Sequence, residues 1–81
     1  MIGIPKGFRK AGVRKTTAEI TDVEGFGLLK GQRFFVLEMK IERPEGWAVN
    51  IAIDNGFEDD SMLPVTAIDE DDFNSFTEES K

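Results

Sequence analysis

Between Gln32 and Glu42 every second residue is apolar: Phe35, Leu37, Met39 and Ile41 fall on one side, Glu38, Lys40 and Glu42 on the other. A period of two over this length predicts a half-buried strand. Trp47, Val49, Ile51 and Ile53 repeat the pattern against Ala48, Asn50, Ala52 and Asp54. The intervening Arg43-Pro44-Glu45-Gly46 is a turn-forming tetrad, so the two strands are expected as an antiparallel hairpin.

Weaker signals flank this hairpin. Thr16 to Val23 is β-branched and suits a first strand with Ala18 and Ile20 inward, ended by Glu24-Gly25-Phe26-Gly27. Asn55-Gly56 opens an acidic loop. Leu63-Pro64-Val65-Thr66-Ala67-Ile68 reads as a short apolar return that Pro64 confines to an edge, a bulge or a helical turn. Residues 1–15 hold Gly3, Gly7, Gly12, Pro5 and five cations with no apolar period, which predicts a flexible basic arm. Residues 69–81 predict an acidic tail or a short helix, capped by Asp69 or Asp71 and pairing Phe73 with Phe76.

The chain therefore divides into a basic arm (1–15), a β domain (16–68) and an acidic end (69–81). Four or five short strands in 81 residues are too few for two packed layers of helix and sheet, and closing the sheet on itself is the economical solution. The expectation is an all-β small barrel. Its interior would hold Ile20, Leu29, Phe35, Leu37, Met39, Val49, Ile51, Ile53, Leu63, Val65 and Ile68, each contributing about 1.5–3 kcal/mol against backbone ordering.

Composition narrows the chemistry. The chain has no cysteine and no histidine, which removes disulfides, thiolate metal sites and the usual general base near neutral pH. An enzyme is not expected, nor is a cofactor or a metal. No apolar run approaches the roughly 20 residues of a membrane span and no signal-like stretch opens the sequence, so a cytoplasmic protein without membrane contact is expected. The net charge of −6 is divided unevenly: residues 1–40 carry +4 and residues 41–81 carry −10.

The succession Leu29-Lys30-Gly31-Gln32, Phe35-Val36-Leu37-Glu38, Pro44-Glu45-Gly46-Trp47, Asn55-Gly56 and Leu63-Pro64-Val65-Thr66-Ala67-Ile68 resembles a Src homology 3 (SH3) domain over about Ala18 to Asp69. In that family a Lys-Gly-Asp-like turn opens a strand with a Val-Leu-Glu-like run, Gly-Trp opens the next, and a Pro-containing helical turn precedes the last. The resemblance implies an SH3-like barrel of about five antiparallel strands, with Trp47 and Pro64 on a binding surface. The family's groove tyrosines have no counterpart here, Val23 and Ala67 standing at the matching places, so a barrel is implied more than a reader of polyproline helices.

Three surfaces are candidates for function. Phe26, Trp47, Phe57 and Pro64 form the expected contact surface for a protein partner, with Trp47 readable either as groove or as core. Lys6, Phe8, Arg9, Lys10, Arg14 and Lys15 are cations with an aromatic inside, a pattern that suits phosphate contact and stacking on a nucleic-acid base but suits a solvated tail better. Asp69 to Asp72 with Phe73 and Phe76 would serve as a partner hook, a phosphate mimic or a solubilising terminus. Asp54, Glu58, Asp59 and Asp60 match no calcium-loop spacing and read as a solvated loop. The expected function is a non-enzymatic interaction module, an accessory or regulatory protein of the kind viruses and mobile elements encode. The alternatives are a nucleic-acid-binding small barrel and an acidic inhibitor.

Overall fold

The computed structural model describes residues 3–80; Met1 and Ile2 of the expected arm and Lys81 of the expected tail lie outside them. The strands are β1 (Lys10–Thr16), β2 (Ile20–Thr21), β3 (Gly27–Leu28), β4 (Arg33–Arg43), β5 (Gly46–Ile53), β6 (Val65–Asp69) and β7 (Thr77–Glu79). A 3₁₀ turn, Asp60–Met62, precedes β6, and a helix, α1 (Glu70–Phe76), joins β6 to β7. The main sheet is antiparallel in the order β6-β5-β4-β1-β7, and β2 pairs with β3 in a separate ribbon. This is the small all-β domain expected.

The hairpin forms where the tetrad places it. Arg43 faces Gly46 across Pro44-Glu45, and Gly46 takes φ +126°, a conformation that side-chain-bearing residues rarely adopt. The faces, however, differ from the expected alternation. Between Val36↔Ile51 and Lys40↔Val49 four steps on β4 match two on β5, an irregularity that interrupts the ladder at residues 37–39. Met39, expected inside, is 53% exposed, as is Ile41 on the same side (46%), while Phe34, absent from the expected interior, is fully buried.

Both faces of the sheet are covered, which is why strict alternation fails. On one face Phe34, Val49, Ile51 and Ile68 pack with Ile20 and Leu28 of the small ribbon and with Phe73 of α1. On the other, Leu37, Ala52 and Leu63 are covered by Ile4 and Phe8. A strand buried on two sides reads as a continuous apolar run, as in Phe34-Phe35-Val36-Leu37 and in the wholly buried Ala48–Ala52. Asn50, which alternation assigned to a polar face, is buried; its side-chain amide donates to the Met39 carbonyl (2.7 Å) inside the irregular stretch of β4. Leu29 is a further correction. It is exposed, and its neighbour Leu28 fills the interior.

The arm is also corrected. Lys10–Thr16 is a strand, paired to β4 on one side and β7 on the other. Residues before it form a strap: the Gly3 amide donates to the Leu63 carbonyl (2.8 Å) and the Ile4 amide to that of Asp60 (3.0 Å). Gly3 has φ +97°, and a Cβ there would lie 3.2 Å from the Ser61 carbonyl oxygen, so the strap approaches that turn as closely as only glycine permits. The expected first strand from Thr16 to Val23 is broken instead, with Thr16 ending β1 and only Ile20–Thr21 forming β2. The acidic end does form a short helix. Three acids in its first turn suit the positive end of the helix dipole, and β7 then returns the chain to the sheet.

Candidate interaction surface

Two buried polar residues build a surface that carries exposed apolar side chains. Asp22 Oδ1 accepts the amides of Glu24 (2.9 Å) and Phe26 (2.8 Å), and Oδ2 accepts the Thr66 hydroxyl of β6 (2.8 Å). The Val23 amide donates to the Ala67 carbonyl (2.9 Å), so the loop between β2 and β3 is fastened to the edge of β6. Thr16 fixes the neighbouring turn: its hydroxyl donates to the Leu29 carbonyl (2.7 Å) and accepts the Gln32 amide (3.0 Å). These anchors free the side chains of Phe26 and Leu29, which stand 67% and 71% exposed.

Between them lies a cleft of about 400 Å³, floored by Leu28, Ile53, Pro64 and Val65, with Asp22 and Glu24 also on its lining. Of the four residues expected to form one surface, Phe26 and Pro64 meet here. Trp47 does not line it. Trp47 is 49% exposed, which answers whether it is groove or core, and it lines a second groove with Glu45 and Asp69 to Asp72. Arg43 there pairs with Glu45 and with Asp69 (3.1 Å), and Lys40 with Glu70 (2.8 Å). Phe57 projects from the loop after β5 and lines neither groove.

The basic string is divided between the strap and β1, which holds Lys10, Arg14 and Lys15. Lys10 pairs with Asp60 (2.7 Å) and lies over the Phe35 ring; Lys15 pairs with Glu78 (3.4 Å). Arg14 donates to the Thr77 hydroxyl and carbonyl (both 2.9 Å) and stacks over Phe73. Phe8 packs into the second apolar cluster. Lys6 and Arg9 alone of the string make no ion pair or hydrogen bond with side chains among the described residues. A phosphate backbone would find two cations here rather than five.

The acidic loop holds itself together. Asp59 accepts the amide (2.9 Å) and hydroxyl (2.8 Å) of Ser61, and these bonds hold its carboxyl below the ordinary aspartate range. Asp54 accepts the Gly56 amide (3.1 Å). No group of three or more side chains able to hold a metal ion occurs among the described residues. None of their helices is long and apolar enough to cross a membrane.

Sequence reasoning missed Leu29, Asp22 and Thr16 as makers of this surface. Asp22-Val23-Glu24-Gly25 did carry the signal, because an aspartate two residues before an amide it can accept is a common loop anchor. Comparison with protein-family models, with characterised proteins and with solved structures finds no match for this chain.

Proposed function

We propose that the chain is a non-enzymatic interaction module that binds a protein partner through the Phe26–Pro64 cleft. The carrying observation is that Phe26 and Leu29 stand exposed on a backbone fastened by Asp22 and Thr16, a preorganised apolar site rather than a loose loop. Asp22 and Glu24 on the lining, on a chain of net charge −6, favour a segment that offers an apolar side chain next to a lysine or arginine.

The SH3-like reading belongs to the same proposal. In its support, the Leu29–Gln32 turn opens β4, Val36-Leu37-Glu38 lies within β4, Gly46-Trp47 opens β5, and a helical turn precedes β6. Two details depart from the expected correspondence: Pro64 stands before β6 rather than in that helical turn, and α1 fills the place before β7. The cleft thus draws on the likeness for its scaffold only.

Selection of a random peptide library on the protein tests the proposal. We expect enriched sequences with a large apolar residue beside Lys or Arg, amide shifts on binding at Phe26 to Leu29 and Val65, and at least tenfold weaker binding by Phe26→Ser and Leu29→Ser at unchanged Tm. No enrichment, or shifts that map elsewhere, would refute it.

A further inference from the structure

β4 is the longest strand, eleven residues, and β1 covers only part of its outer edge. Pairing with β1 stops at Lys10↔Leu37, and the last bond across is from the Glu38 amide to the Arg9 carbonyl (3.0 Å). From Met39 to Arg43 the strand has a neighbour on the β5 side alone among the described residues. Residues flanking a two-residue turn bond across it, so Arg43 and Ile41 direct their backbone groups at β5. Lys40 and Glu42 then direct theirs outward, as Glu38 does. The edge thus offers two amides and two carbonyls beside the half-exposed Met39 and Ile41, the arrangement that invites a further strand.

We propose that this edge pairs with its own copy, antiparallel about a twofold axis at Ile41. Only outward-facing residues can stand opposite one another as bonded pairs; centring on Met39 would run the copy into β1, which already covers Phe35 and Val36, and this leaves centres at Lys40, Ile41 and Glu42. Centring on Lys40 sets Lys40 against Lys40 and Glu38 against Glu42, like against like. Centring on Glu42 sets two carboxylates together and brings Lys40 against Pro44, which has no amide. Centring on Ile41 sets Lys40 of each copy against Glu42 of the other, with backbone bonds on both sides of an Ile41–Ile41 contact.

The length fits as well, because Met39–Arg43 is symmetric about Ile41. The second copy's Pro44-Glu45 turn then ends beside Arg9, a cation without an ion pair among the described residues. Five residues a side bury far less than the roughly 1,200 Å² of a stable complex, so the dimer belongs to the weak, concentration-dependent class.

Sedimentation equilibrium across a wide concentration range reads this directly. The mass should climb from 9.1 kDa toward twice that value. Lys40→Glu and Glu42→Lys should each weaken association at least tenfold, and the double exchange should restore it although the Lys40–Glu70 pair is lost. Glu42→Pro removes an amide that faces away from β5, and should give a folded monomer whose peptide binding at Phe26 is unchanged. A monomer at every concentration, a dimer indifferent to Glu42→Pro, or a double exchange no better than the single ones would overturn the proposal.

Discussion

Thr16 concentrates four backbone connections in one buried position. Its amide donates to the Gln32 carbonyl, its carbonyl accepts the Gly31 amide, and its hydroxyl serves Leu29 and Gln32. Valine has the same shape without the hydroxyl, so Thr16→Val leaves the Leu29 carbonyl and the Gln32 amide without that partner. The expected cost is about 2 kcal/mol, or roughly 10 °C in Tm for a domain of this size, measurable by thermal unfolding. Because that turn carries Leu29, peptide binding should fall too. Asn50 is the corresponding case in β5: a polar residue among buried alanines, valine and isoleucine, retained to satisfy the one carbonyl that the irregular stretch of β4 turns toward it.

At the scale of elements, the strap makes the second apolar face. Phe8 and Ile4 cover Leu37, Ala52 and Leu63, and the small side chains of Ala48, Ala52 and Ala67 leave that face room for a covering segment. Phe8→Ala should therefore destabilise the protein by about 2 kcal/mol, whereas Phe57→Ala, which removes an exposed ring, should change stability by under about 0.5 kcal/mol in denaturant titration. Nothing in the sequence distinguishes these two phenylalanines, since each sits in a glycine-bearing, charged stretch.

The hairpin was legible because its turn residues and the alternation of β5 are local properties. Its register was not, because the irregularity at residues 37–39 is set by contacts across the sheet and not by the local pattern of side chains. β1 escaped detection for a similar reason. Gly12 and the cations argue against a strand locally, and only β4, β7, Asp60 and Glu78 make one of it. The candidate surface was half legible: Phe26 and Pro64 both line it, whereas Leu29 was lost to the one-residue ambiguity between two adjacent leucines.

Considered whole, the molecule is organised around β5. β4 and β6 occupy its two edges and an apolar cluster lies on each face, so its middle is enclosed from every side. Native-state hydrogen exchange should show the amides of Val49–Ala52 opening only with global unfolding, and those of Gly3 and Ile4 opening first, at a far smaller free energy. Equal protection of the two sets would contradict this layering. The uneven charge of the sequence is likewise resolved at this scale, since β1 brings basic residues of the first half against Asp60 and Glu78 of the second.

The antiparallel run of β1 beside β7 also determines how the protein responds to force. Arg14 faces Glu79 and Thr16 faces Thr77, so Arg9 and Ser80 flank the same end of that pair. A pull applied across those two residues loads the interstrand bonds one after another, as a zipper, instead of shearing them together. Tension along that line peels β7 away while β4, β5 and β6 stay joined, so the C-terminal strand is the mechanically soft part of the sheet.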